Sequence, residues 1–380
     1  MIDNNIKNKI NKYIDYLLEN SKPQAPMWNI EKVLSGEPNK WNYIDGCMIT
    51  AILSLYEMTG DEKYYEFAKN FVDYYVKDNG TIETYDPEEF NLDNVNTASN
   101  LFYLYEKTGQ EKYRKAIEIV RGQLERMPRT NDGNFWHKNI YPFQVWLDGM
   151  YMAQPFYMKY EMKFNGMKGC MDSIHQFENV ERLMKDDKTG LYYHGYDETK
   201  KMYWANPETG CSANFWLRAI GWFSVALVET ATAMTDVLYD EFRYLLRLLE
   251  NLVEALKPYQ DESGMFWQVV DHQGEEGNYL ETSGTALVTY AILKAVRLGY
   301  LPDIYEEMGI KALEGIIDKY LKIDDDGNLE LGGICLVAGL GGKTRRDGST
   351  EYYYSEPVVK NEAKGVAPLL LAYIELLRRG

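Results

Sequence analysis

The chain has 380 residues, 41 Lys and Arg against 58 Asp and Glu, a net charge of −17 and 45% hydrophobic residues. A uniformly negative field without a Lys/Arg-rich block excludes nucleic acid as a partner, and no window approaches the roughly 18 apolar residues of a membrane span. Beyond about 300 residues a chain divides into domains unless a repeating architecture lets one core keep growing.

The order of elements favours the repeat. Residues 1–20 carry Ile2, Ile6, Ile10, Tyr13, Ile14 and Leu17 at spacings of three and four among Asn, Lys and Asp. That pattern predicts an amphipathic helix, not a signal peptide, whose apolar run of about 7–15 residues is uninterrupted. LYEMTGDEKYYEFA, Leu55 to Ala68, recurs 49 residues later as LYEKTGQEKYRKAI, Leu104 to Ile117. In each copy an apolar helix ends at Thr-Gly, with Gly60 or Gly109 as a left-handed cap, and a charged helix follows at once. The unit is a helical hairpin, and an internal repeat outranks other fold signals. Between hairpins a turn residue, Gly and an apolar pair recur, at Asp78–Ile82, Asp132–Trp136, Thr189–Tyr193, Ser263–Trp267 and Asp326–Leu329, reading as short turns across one rim.

Less polar helices are predicted from near Tyr43, Asp93, Leu147, Ser212, Thr282 and Asn361, and more amphipathic ones from near Asn4, Asp61, Gln110, Met167, Asp236 and Pro302. Six of each make an all-α (α/α)6 toroid with inner and outer rings, a single catalytic domain over residues 1–380. The N-terminal helix would be the outer partner of the last inner helix. An open solenoid would need distinct polar capping repeats, which are missing. Cys47, Cys170, Cys211 and Cys335 lie far apart without a C-x-x-C pair, so they read as reduced thiols of a cytoplasmic protein.

In such a ring the inner helices share one direction, and their N-termini converge with the preceding loops on one rim. Trp41, Tyr43, Asp45, Asn91, Asp93, Trp136, His137, Lys138, Gln144, Trp146, Asp148, Trp204, Trp216, Arg218 and Glu281 fall there. Flat aromatic faces beside carboxylates and amides suit a sugar, whose C–H faces stack while its hydroxyls need oriented partners. Many tyrosines serve equally as helix-interface residues.

Asp93 and Asp148, 55 residues apart, each open an inner helix. An Asp there is ordinarily an N-cap. Facing one cavity, the two would form an acid/base pair in which repulsion and burial keep one protonated, against the helix dipole, which favours the anion. His137 and His194 follow Gly-aromatic turns at the rim, His175 falls in an outer helix and His272 in a loop. No HExxH, G-x-S-x-G, P-loop or dinucleotide motif is present. The Gly-rich run from Gly332 to Gly342 lacks P-loop spacing and reads as a lid or close-packed loop.

WHKNIYPFQVWLDGMYMAQPF (Trp136 to Phe156), HGYD (His194 to Asp197), FWLRAIGWF (Phe215 to Phe223), YLETSGTALVTYA (Tyr279 to Ala291) and RDGSTEYYYSEPVVKNEAKGV (Arg346 to Val366) resemble the unsaturated glucuronyl and rhamnogalacturonyl hydrolases, glycoside hydrolase family 105 and its relative family 88. The resemblance runs from about Trp41 to the C-terminus. It implies removal of a terminal 4,5-unsaturated uronic acid from lyase-generated oligosaccharides, in a pathway such as pectin degradation. Asp148 would protonate C4 and help water add at C5, with Asp93 as its partner. His194, His137, Arg218, Trp41, Tyr43, Trp146, Trp222, Lys138 and Gln144 would contact the sugar, Arg218 meeting its carboxylate or else serving a structural ion pair. No metal or organic cofactor is implied, and a monomer or homodimer acting on a small oligosaccharide is expected. The chain departs from the family pattern at Lys343-Thr344-Arg345, at Glu362 and at Ala367-Pro368-Leu369, and the first change bears on the leaving sugar. A sugar epimerase on the same ring would want more rim histidines, and a non-catalytic binding protein would not need intact carboxylates.

Overall fold

The computed structural model describes residues 4–234, 236–325 and 327–379, so Ile2 and Asp326 lie outside the described residues. The helices are α1 (Asn4–Glu19), α2 (Ile30–Ser35), α3 (Tyr43–Thr59), α4 (Glu62–Tyr75), α5 (Asp93–Asn96), α6 (Ser99–Thr108), α7 (Glu111–Arg126), α8 (Leu147–Phe164), α9 (Cys170–Met184), α10 (Leu217–Ala233), α11 (Tyr239–Leu256), α12 (Thr282–Arg297), α13 (Glu306–Tyr320), α14 (Thr350–Ser355) and α15 (Ala363–Arg379). Both Thr-Gly repeats end their helices as read, with Gly60 and Gly109 at φ 68° and 66° and their N–H groups on Tyr56 O and Tyr105 O.

Burial separates two rings. Every residue of α12 from Thr282 to Val296 is buried, whereas α11 buries only a stripe of Leu245, Leu246, Leu248, Leu249, Leu252, Val253 and Leu256. The inner helices α3, α5, α8, α10, α12 and α15 pack in that order, and α15 also meets α3, which closes the toroid. Tyr13 of α1 donates to Asn361 Oδ1 at 2.7 Å, tying the first outer helix to the start of the last inner one. Glycines let α10 and α12 approach: a Cβ on Gly284 would stand 2.4 Å from Leu217 Cγ, and one on Gly221 2.7 Å from Leu287 Cβ. Among the described residues no helix is long and apolar enough to cross a membrane.

Three local differences have physical causes. The fourth inner helix starts at Leu217, not near Ser212, because Trp216 bridges Val269 and the Leu217 N–H bonds Gln268 O at 3.0 Å, keeping the preceding backbone extended. Met167 sits at φ 65° and cannot begin α9, which starts at Cys170. Three short antiparallel ribbons were not legible in sequence: β1 (Gln144–Trp146) with β2 (Gly195–Asp197), β3 (Leu321–Ile323) with β4 (Leu329–Leu331), and β5 (Ile334–Cys335) with β6 (Val358–Val359). The first ribbon builds the site.

Candidate active site

In the β1–β2 register Trp146 opposes Gly195, and the Leu147 N–H donates to His194 O at 3.1 Å. That pairing sets His194, the residue before β2, across from Asp148 in the first turn of α8. His194 is fully buried, with Nε2 3.3 Å from Asp148 Oδ2 and Nδ1 2.7 Å from the Tyr353 hydroxyl. Nε2 and Oδ2 are close but misaligned, and neither has a hydrogen-bond partner. Two buried polar atoms left open at one spot mark a place for a ligand or water.

The second carboxylate has its own neighbours. Lys138 Nζ is 2.5 Å from Asp93 Oδ2, and His137 Nε2 is 3.6 Å from Oδ1. His137 is fixed through its backbone, its N–H donating to Gln144 O at 2.8 Å and its carbonyl accepting from the Leu92 N–H at 3.2 Å. Its Nδ1 is also open, facing α8 where a Cβ on Gly149 would come within 3.1 Å of it.

Trp146 joins the two halves. It stacks on His137 at 4.5 Å and 18° and meets His194 edge-on at 5.5 Å. Gln144 is buried and its Oε1 accepts the Trp146 indole N–H at 3.1 Å, so it orients the ring. Tyr43 lies edge-on to Trp222, which stacks on Tyr151 at 5.0 Å and 8°. Trp41 and Tyr43 line, with Asp93, Asn94 and Glu31, a cleft of about 260 Å³.

Arg218 is the buried cation of the site. Its guanidinium lies 4.8 Å over Trp216, itself 4.6 Å from His194, and its Nη1 donates to Ser283 Oγ at 3.2 Å and Cys335 O at 2.5 Å. Among the described residues no carboxylate forms an ion pair with it. Glu281, within Coulombic reach, is occupied as the cap of α12, accepting from Gly284 N at 2.6 Å, Ser283 Oγ at 2.7 Å and Cys335 N at 3.0 Å. Glu281 thereby holds the two groups that hold Arg218. Glu362 is likewise structural, accepting the Ile30 N–H at 2.9 Å.

Electrostatics correct one expectation. Burial pushes the Asp148 carboxyl up, but contact with His194, the imidazoles of His194 and His137, and its own backbone N–H outweigh burial and hold it below the ordinary carboxylate value. Repulsion from Asp93 does not keep it protonated, because Lys138 neutralises Asp93 locally. For His137 burial wins over the attraction of Asp93, and its pKa falls to about 4. Neither carboxylate is its helix's N-cap: Trp146 and Leu92 occupy those positions, without side-chain capping bonds. His175 and His272 are away from this cluster, on exposed Glu178 and Glu275.

Asp45, placed by sequence at the rim, is structural. Its carboxylate accepts from Trp28 Nε1 at 2.8 Å, Asn39 Nδ2 at 2.6 Å and Asn42 Nδ2 at 2.8 Å, yet burial outweighs these and pushes its pKa up to about 6. A pKa raised on folding stabilises below the unfolded value and loses that contribution as pH rises through the folded one. Asp45→Asn should therefore cost about 2 kcal/mol more at pH 4 than at pH 7, measured by denaturant unfolding at both; equal costs contradict the assignment. The depressed His137 has the opposite sign, its contribution present above an unfolded value near 6.5 and lost as pH falls towards 4.

Tyr353 falls in the stretch Tyr352 to Asn361 that the sequence places at the rim, but sequence reading gives it no role of its own. It is one of three consecutive tyrosines, 352 to 354, and only the turn of α14 selects it to face inward. The 2.7 Å hydrogen bond between the Tyr353 hydroxyl and His194 Nδ1 orients the ring so that Nε2 is the nitrogen beside Asp148. Tyr353→Phe is expected to lower kcat by about 10- to 100-fold and shift the pH profile with little change in KM, as loss of an outer-shell orienting bond does. An unchanged kcat and profile would remove Tyr353 from the account.

A carboxylate stands beside imidazoles and stacked rings at the N-terminal rim of a closed helical toroid, and the comparison with known families gives the class: a glycoside hydrolase of (α/α)6 architecture. The family model described as Glycosyl Hydrolase Family 88 matches residues 13–380, and the chain belongs to that family. The solved structure of a family 105 glycoside hydrolase from C. acetobutylicum ATCC 824 is 43% identical, with a TM-score of 0.88 over 97% of this chain and 99% of that one. The unsaturated rhamnogalacturonyl hydrolase YesR of Bacillus subtilis (strain 168) is 25% identical over 295 residues, 76% of this chain and 78% of the relative. The unsaturated glucuronyl hydrolase of Bacillus sp. GL1, 14% identical over 90% of this chain and 88% of that one with a TM-score of 0.66, shares the fold.

Proposed function

We propose that the chain removes a terminal 4,5-unsaturated uronic acid from lyase-generated oligosaccharides, acting as an unsaturated rhamnogalacturonyl hydrolase. The observation that carries this reading is the open Asp148–His194 pair, 3.3 Å apart, together with a buried Arg218 that forms no ion pair among the described residues. The 4,5-unsaturated uronyl unit presents what that arrangement lacks: an anion for Arg218 and an electron-rich double bond for a carboxylic acid. The similarity to YesR supports the rhamnogalacturonyl assignment.

In the free enzyme Asp148 is anionic, because its contact with His194 outweighs the burial that raises its pKa. Sugar filling the cavity excludes water and strengthens the burial that already pushes its pKa up. Asp148 takes up a proton from solvent as the complex forms, gives it to C4 of the vinyl ether, and as carboxylate takes one from the water that adds at C5. The hemiketal opens to a keto-acid and the leaving sugar departs. One shuttling carboxylate suffices, so the carboxylate separation that distinguishes retaining from inverting glycosidases sets no condition. Asp93, held by Lys138, hydrogen-bonds the sugar; His137 and the edge of Trp146, whose faces lie against His137 and Tyr141, border it; Trp41, Tyr43 and Trp222 close the inner side.

The four cysteines are buried and unpaired, which supports a reducing, cytoplasmic setting for this chemistry. The direct test follows the ultraviolet absorbance of the conjugated double bond in lyase-generated disaccharides from pectic, ulvan-like and glycosaminoglycan polymers. Fastest loss with the pectic disaccharide is expected. Fastest loss with another member moves the assignment to an unsaturated glucuronyl hydrolase, and no loss with any member overturns it.

A further inference from the structure

Below the catalytic rim the axis of the toroid holds a second, smaller cavity, to which all six inner helices contribute. It measures about 50 Å³, room for roughly three or four water-sized groups. Tyr151 joins it to the site above, since the same ring stacks on Trp222. Lys159 lines the cavity about 16 Å beyond Asp148 along α8, so it takes no part in the chemistry at the rim. Lys159, Glu229, Lys294 and Glu375 stand at the same position counted from the starts of α8, α10, α12 and α15, which pack in that order and so carry one layer of alternating charge. Three of the four are matched. Glu229 Oε1 accepts from Lys294 Nζ and from the Tyr290 hydroxyl, each at 2.5 Å, and Glu375 takes Arg297 and Arg378. Lys159 makes no ion pair and no side-chain hydrogen bond among the described residues, nor does the hydroxyl of Ser99, which lines the same cavity.

Lys159 and Lys294 thus share one carboxylate, which leaves a positive charge in excess deep inside a chain whose net charge is −17. Burial holds the Lys159 pKa below the ordinary lysine value; Glu229 opposes this, while Lys294 and Lys163 add to it. Lys163 is itself engaged by Glu106. Water in the cavity satisfies the hydrogen bonds of Lys159 and Ser99 but leaves the charge unmatched. An anion satisfies both, and its attraction to the ammonium is strengthened by the low dielectric of the interior. We propose that the cavity binds a monovalent anion of halide size, such as chloride, between the Lys159 ammonium and the Ser99 hydroxyl. The single surplus charge selects against doubly charged sulfate or phosphate. Ser99 opens α6 and Lys159 belongs to α8, so the ion ties the helix that carries Asp148 to the neighbouring hairpin.

The test follows the thermal midpoint of wild type and K159M as chloride replaces gluconate at constant ionic strength, gluconate being too large for the cavity. Wild type should show a saturating rise of about 2 °C at ten times the dissociation constant, and K159M should show none. A crystal of wild type grown with bromide in place of chloride gives a readout independent of any variant. An anomalous peak is expected within hydrogen-bond reach of both Lys159 Nζ and Ser99 Oγ. A midpoint that does not respond to chloride, a response that K159M shares, or bromide peaks confined to the protein surface would each overturn the proposal.

Discussion

Asp148→Asn should all but abolish turnover, lowering kcat by about 10²- to 10⁴-fold, the range for removal of a general acid/base, while the fold and substrate binding survive. The amide occupies the same space in the first turn of α8, beside His194 and against its own backbone N–H. It has no proton to give to C4 and cannot accept one from water. Calorimetric titration of the variant with an unsaturated disaccharide should give a Kd within a few-fold of the wild-type KM, since Arg218, Lys138 and the aromatic walls are untouched. Retention of a tenth of wild-type kcat would place the proton transfer elsewhere. Asp93→Asn should cost less, because Asp93 is already engaged by Lys138 and its proposed role is to hold the sugar.

Arg218→Met separates binding from stability. Loss of charge-assisted bonds to the substrate carboxylate is expected to raise KM by roughly 50- to 100-fold, about 2–3 kcal/mol. A buried charge carries a desolvation cost that an apolar side chain of similar length does not. Arg218 is 1% exposed and bonded only to Ser283 and a backbone carbonyl, while Glu281 keeps its own three donors without it. The thermal midpoint of the variant should therefore be unchanged or raised. A large fall in the midpoint with KM unaltered would make Arg218 a structural residue.

What the sequence disclosed was local. Thr-Gly after an apolar run specifies a left-handed helix end within a few residues, so Gly60 and Gly109 and the hairpin repeat could be read directly. Inner helices were recognisable by their lack of a polar face, and those starting at Tyr43, Asp93, Leu147 and Thr282 began where the apolar patterns did. Asp148 and His194 emerged from the convergence of rim elements together with a family resemblance. The remainder depended on contacts between distant residues. His194 and Tyr353 are 159 positions apart, and Arg218 reaches Cys335 across 117. Such partners have no local signature, so Tyr353 stayed hidden among its neighbours and Glu281 read as a rim carboxylate when it is a cap. The protonation of Asp148 was misjudged for the same reason: its neighbours in space are imidazoles, and Asp93 has a lysine of its own.

The central claim is that Asp148 acts on a carbon–carbon double bond and not on the glycosidic bond itself. The most direct measurement compares two disaccharides identical in linkage and leaving sugar, one ending in the 4,5-unsaturated uronic acid and the other in its saturated counterpart, with release of the leaving sugar followed chromatographically. The account predicts release from the unsaturated compound only, since the saturated ring has no C4=C5 double bond for Asp148 to protonate. Comparable release from both would contradict it and make the enzyme an ordinary uronidase.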